Sequence, residues 1–181
     1  MILFSIVQKI NEQNEIVKLI SNYDNRKYVV RKLPDAQLAC EKLAIINYKV
    51  DLLFKQIKQS NHKEEGYERL FERYNPDKLS ETLPGSKYTS YSVNKGEQIS
   101  LCIRQPDDIF IDTNIVVFVI VHELAHIMTK EVGHTKTFWK NMKYLLEQCE
   151  IAKVYHPDNY NENPVPYCGM KITTTPYDFK K

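Results

Sequence analysis

No stretch of this 181-residue chain is apolar for long enough to cross a bilayer. The longest uninterrupted apolar run, Ile115 to Val121, has seven residues, against the roughly 20 that a membrane-spanning helix needs. Met1 to Val7 is shorter than a signal-peptide core and has no basic start, so no secretory leader is expected. A CxxC pair is also missing. Cys40, Cys102, Cys149 and Cys168 stand far apart, and read chiefly as small buried hydrophobes in a reducing, intracellular setting (cytoplasm, nucleus or a virion) rather than as a disulfide frame or a zinc ribbon. Charge of one sign is lacking too: 25 basic against 23 acidic residues leave +2, too little to argue for nucleic acid by itself. Internal repeats and low-complexity tracts are absent. Arginine is nearly absent from the second half, where Arg104 is the only one after residue 73.

What remains is the composition of a compact soluble domain. A hydrophobic content of 43% is enough to build one core, and the length suits a single domain over residues 1–181. Frequent Lys, Asn, Ile and Tyr is the pattern of an AT-rich coding genome, such as that of a large DNA virus or a parasite.

Residues 1–33 are the least informative: Ile6 to Ile20 has weak helical spacing, and Tyr28 to Leu33 reads as a strand after an Asp24-Asn25 turn. From Asp35, the residues Ala39, Leu43, Ile46, Val50, Leu53 and Ile57 recur at three- and four-residue spacing, predicting one long amphipathic helix to about Asn61. Intramolecular packing accounts for that stripe better than a coiled coil, which would have only three heptads. A shorter helix is expected over Glu64 to Tyr74, stopped by Asn75-Pro76, then loop from Asp77 to Gly85. Lys87 to Arg104 reads as a hairpin turning at Asn94-Lys95-Gly96; Arg104, Asp107 and Asp108 read as solvated loop charges. The last segment, residues 150–181, interleaves Pro157, Pro164, Pro166 and Pro176 with tyrosines and cannot be a long helix. It is expected to wrap the domain as an extended strap, with His156, Tyr155, Tyr160, Tyr167 and Cys168 as candidates for a cleft wall.

The chemistry lies in His122-Glu123-Leu124-Ala125-His126. An i, i+4 histidine pair projects from one face of a helix, so both imidazoles can reach one metal ion while Glu123 can handle a metal-bound water; this is a zinc-peptidase signature. The motif ends an apolar run, where unpaired imidazoles and carboxylates are costly unless they bind metal. A catalytic zinc wants a third protein ligand and an open position. His134, after a turn at Gly133, is the candidate, with Glu131 and Asp158 as fallbacks. Thr135 to Cys149 then reads as another helix.

The run HELAHIMTKEVGHTKTFW, His122 to Trp139, resembles the active-site segment of the WLM and SprT-like metallopeptidases. Tyr91 to Arg104 is similar to the hairpin and strand that precede it in WLM domains, so the resemblance covers residues 87–149 as a catalytic core. It implies an α+β, zincin-like single domain of long helices packed on a short sheet. It also implies zinc-dependent hydrolysis of protein or peptide substrates, including proteins crosslinked to DNA. Two alternatives stand beside it. The YgjP-like proteins, some of them assigned nucleotide pyrophosphatase activity, also carry HELAH with a later His and Phe-Trp. A non-catalytic zinc-stabilised structural module, such as a virion component, would keep the fold without the reaction.

Overall fold

The computed structural model describes residues 15–83, 85–86, 89–94 and 96–179. Its architecture is α+β. Strands β1 (Ile16–Ile20) and β2 (Lys27–Arg31) lead into helices α1 (Ala36–Gln59) and α2 (Tyr67–Arg73). Strands β3 (Leu79–Glu81), β4 (Tyr91–Val93) and β5 (Gln98–Leu101) follow, then helices α3 (Thr113–Met128) and α4 (Lys136–Ile151). The hairpin β6 (Val165–Tyr167) and β7 (Met170–Ile172) comes last. The first five strands form one sheet in the order β1-β2-β3-β5-β4, parallel where β3 meets β2 and β5 and antiparallel elsewhere.

Helix α1 starts after Asp35 and buries every residue of its predicted stripe, from Ala39 through Ile57, against the sheet, α3 and α4. Its face is therefore used inside the molecule, as expected. The amino-terminal reading is corrected in part. Residues 16–20 are a strand paired with β2, so the weak helical spacing there is overridden by cross-strand pairing; the rest of that spacing, 6–14, lies outside the described residues. Helix α2 begins at Tyr67 rather than Glu64, because Gly66 adopts φ +91° and a Cβ there would stand 2.2 Å from the Met128 carbonyl oxygen. Only glycine lets α2 approach the end of α3 so closely. Arg69 also donates to that carbonyl at 2.9 Å.

A strand, β3, occupies part of the predicted loop from Asp77 to Gly85. Leu-Ser-Glu lacks the apolar alternation of a strand, yet all three residues are buried between β2 and β5. What makes a buried Glu81 tolerable is Arg104, whose Nε donates to it at 2.9 Å. Arg104 is 2% exposed and is not a solvated loop charge. Its two terminal nitrogens grip both oxygens of Asp35 at 2.8 Å, and its guanidinium lies 3.9 Å from the Phe110 ring centroid. That hydrogen bonding holds the Asp35 carboxyl below its ordinary range. Asp108, by contrast, is half-exposed and pairs with Arg31.

The last segment is mostly extended and contains the β6-β7 hairpin. The cysteine reading does not hold for two residues: Cys102 and Cys168 form a disulfide across 66 positions. Sequence separation hides such a pairing, which exists because the strap returns to the end of β5. Cys40 and Cys149 remain buried thiols. Cysteine usage therefore gives no argument for a reducing compartment. Among the described residues, no helix is long and apolar enough to cross a membrane.

Replacing Arg104 with Met removes the cation and leaves the Glu81 carboxylate buried. The variant should lose roughly 3–5 kcal/mol of stability, as expected when one partner of a buried pair is removed. Urea unfolding of Arg104→Met beside wild type measures this; a change below about 1 kcal/mol would mean that the network carries no net stability.

Candidate metal centre

Helix α3 is apolar over nearly its whole circumference, with Val116 to Val121, Leu124, Ala125, Ile127 and Met128 buried. Asp112 caps its start by accepting from the Asn114 N–H at 2.8 Å. The chain leaves the helix at Thr129, whose hydroxyl accepts from Asn141 of α4 at 2.9 Å. Gly133 then takes φ +88°, as the sequence suggests, and turns the chain. Thr135 caps α4 by accepting from the Phe138 N–H at 3.2 Å, so His134 sits directly before that cap.

This path brings together His122, His126 and His134. Their ring nitrogens all lie within 4.8 Å of one another. The Nε2 of His122 is 3.2 Å from that of His126 and 3.0 Å from that of His134. Nitrogens bound at roughly 2.0–2.1 Å to one tetrahedral centre lie about 3.3 Å apart. The cluster therefore fits a zinc-sized ion by spacing and donor type. Burial, followed by the neighbouring His126 and His134, pulls His122 down to about 3, so near neutral pH its imidazole is the uncharged form that can ligate. Phe138 forms the floor: it is fully buried and its centroid lies 4.9, 4.4 and 4.8 Å from the three imidazoles in chain order. Trp139 lies beside His134 at 5.8 Å. The outer face is open, since His134 is exposed.

Glu123 is 7% exposed, and burial pushes its carboxyl up to about 7. The main-chain N–H and hydroxyl of Ser92 face it and act in the opposite direction. Ser92 lies on β4, at the edge of the sheet. Sequence reasoning gave the hairpin but missed Ser92, for which the sequence offers no signal beyond its strand.

Other candidates are elsewhere. Glu131 accepts from Thr137 at 2.8 Å and stands outside the histidine cluster. Asp158 and His156 cluster around Asn114 at the opposite end of α3. Tyr155 and Tyr160 are buried against Phe118. Tyr167 is buried too, and the Glu123 charge helps to raise its phenol, after the larger effect of burial.

An α+β fold that gathers two histidines of a buried helix and a third from the following turn, beside a carboxylate and an edge strand, is the arrangement of a metallopeptidase-type domain. The WLM domain model matches residues 71–175, and the chain belongs to that family. Its relatives include uncharacterized protein R325 of Acanthamoeba polyphaga mimivirus, 32% identical over 176 residues, which span 94% of this chain and 88% of that one. A shorter match joins it to uncharacterized protein 136R of Invertebrate iridescent virus 6, 38% identical over 69 residues, or 36% of this chain and 38% of that one. Wss1 from Saccharomyces cerevisiae has a similar fold, with a TM-score of 0.52 and 21% identity over 68% of this chain and 87% of that one.

Glu123 makes the metal-free protein sensitive to pH. Because the folded carboxyl is raised from the ordinary 4.5 to about 7, its contribution to stability is intact below the lower value and lost as pH rises through the upper one. Metal-free Glu123→Gln should therefore melt higher than wild type at pH 8, with the gap closing towards pH 4. Calorimetry in the presence of a chelator checks this, and a gap that did not change with pH would contradict it.

Proposed function

We propose that the chain is a zinc-dependent metallopeptidase, with His122, His126 and His134 holding the ion and Glu123 as general base. The observation that carries this reading is the convergence of three ring nitrogens within 4.8 Å, next to a buried carboxylate on the same helix. A zinc ion held by these histidines would supply Lewis-acid chemistry, acidifying water and polarising a peptide carbonyl. Glu123 takes the proton of the attacking water and passes it to the leaving amine. Burial keeps that carboxylate basic, and the N–H and hydroxyl of Ser92 face it from β4. Phe138 shields the inner side of the imidazoles from solvent. The β4 edge offers main-chain hydrogen bonds to an extended substrate, which favours unfolded or flexible protein over any one sequence. The family resemblance extends the substrate class to proteins crosslinked to DNA.

Physical arguments weigh against the two alternatives. A nucleotide substrate wants converging cations. The one arginine after residue 73, Arg104, is buried and committed to Glu81 and Asp35. A purely structural zinc site favours four protein ligands and has no use for a buried base. Here the cluster has three among the described residues, with Glu123 beside it.

Purified protein should carry one zinc per chain. His126→Ala should lose it, because too few strong ligands remain; stoichiometric zinc in that variant, by elemental analysis, would overturn the ligand assignment. His134→Ala should weaken zinc binding, whereas Glu131→Ala should leave it unchanged.

Glu123→Gln should keep both fold and zinc while kcat on an unfolded protein falls by about 10²–10⁴-fold, the range for losing a positioned acid-base group. The same pair of proteins, given a DNA-bound protein and nucleoside triphosphates, separates substrate classes. Glu123-dependent hydrolysis of triphosphate alone would replace the peptidase reading with the nucleotide one.

A further inference from the structure

The strap is tied to the catalytic half at one covalent point. Cys102 directly follows β5, and Cys168 lies in the turn between β6 and β7. Cys168 and Gly169 both have positive φ, 50° and 80°, the conformation of a tight two-residue hairpin turn. Gln105 clasps the same turn: its Oε1 accepts from the Cys168 N–H at 3.1 Å, and its Nε2 donates to the Pro166 carbonyl at 2.9 Å. Beside the disulfide, three groups close a ring of hydrogen bonds. The Cys102 N–H donates to Ser90 Oγ at 3.1 Å, and the Tyr167 hydroxyl donates to the Cys102 carbonyl at 2.9 Å. The Ser90 hydroxyl completes the ring by donating to the Tyr167 oxygen at 2.6 Å. Ser90 immediately precedes β4, the edge strand whose Ser92 faces Glu123. The hairpin therefore braces the strand that borders the site.

The disulfide is also reachable. Both its cysteines line a cavity of about 300 Å³, together with Arg31, Thr82, Gln105 and Asp108. Thr82 Oγ1, buried in that wall, has no hydrogen-bond partner among the described residues. The other two cysteines are buried thiols, 0% and 1% exposed.

We propose that Cys102–Cys168 is a thiol-responsive latch, which when closed fixes β4 against the catalytic glutamate and when opened by a small thiol entering the cavity loosens the substrate edge. Its effect on turnover rests on the peptidase reading above; its effect on the hairpin does not. A thiolate attacks Cys168 Sγ, the sulfur–sulfur bond breaks, and Cys102 leaves as a thiolate that solvent protonates. A second thiol attacks the mixed disulfide, releasing the Cys168 thiolate and the oxidised thiol pair, so the two electrons come from the reductant. Once opened, the three-residue strands of the hairpin keep only each other, the Gln105 clasp and the Thr89 and Tyr167 side-chain contacts, and a two-stranded hairpin held by so few contacts is marginal in water.

Alkylation of the denatured full chain, followed by mass spectrometry, should count two free thiols before treatment with glutathione and four after it. Hydrogen exchange at β4 and β6-β7 should then speed up at least about tenfold, while α3 and α4 keep their protection. Zinc content should stay the same and KM for an unfolded protein should rise. Cys102→Ser/Cys168→Ser should behave as reduced wild type and ignore glutathione; if it fails to fold, the titration of wild type carries the test. Four free thiols in the untreated protein, or unchanged exchange at β4 after reduction, would overturn the latch. Loosening of β4 with no hydrolysis in either state would leave the latch standing and overturn the peptidase reading instead.

Discussion

The structure depends on how α3 is buried. Its apolar circumference is enclosed by α1, α2, α4 and the sheet, which fixes its rotation about its own axis. That rotation decides where His122, Glu123 and His126 point. A helix with one apolar stripe could roll by a fraction of a turn at small cost; one buried nearly all round cannot, because any roll would bring polar groups into the core. The carboxylate is the exception that folding does not favour. Buried to 7% exposure and pushed up to about 7, it sits where stability alone would not put it.

Both ends of that helix are pinned by neighbours. At the carboxy-terminal end, Gly66 and Arg69 press on the Met128 carbonyl, and Asn141 reaches back to Thr129. At the amino-terminal end, Asn114 is held by the His156 backbone and Asp158 of the strap. Of the residues considered for the cleft wall, Tyr167 and Cys168 lie at the β4-β5 side, whereas His156 serves the far end of α3. Tyr155 and Tyr160 do the same by packing on Phe118.

A second layer is ionic. Arg104 joins the loop after β5 to β3 through Glu81 and to the start of α1 through Asp35. Its charges are paired and stacked on Phe110, which offsets part of the cost of burying them. By joining three elements that are distant in sequence, this network fixes how the sheet meets α1, and β4 lies at the free edge of that same sheet.

Elements whose signal is local were legible along the chain. The α1 stripe, the HExxH spacing, the Gly133 turn and the Thr135 start of α4 all follow from periodicity and capping within a few residues, and together they pointed to His134 as the third member of the cluster. Only the tertiary structure decided the rest. Strand β3 has no strand pattern of its own and exists because two parallel neighbours pair with it. Arg104 reads as a surface charge until Glu81 and Asp35 are brought to it, and Cys102 and Cys168 read as separate residues until the strap folds back. Ser92 gains meaning only from the side chain it faces. In each case the deciding partner lies far along the chain, and a pairing between distant residues leaves no periodic trace in either segment.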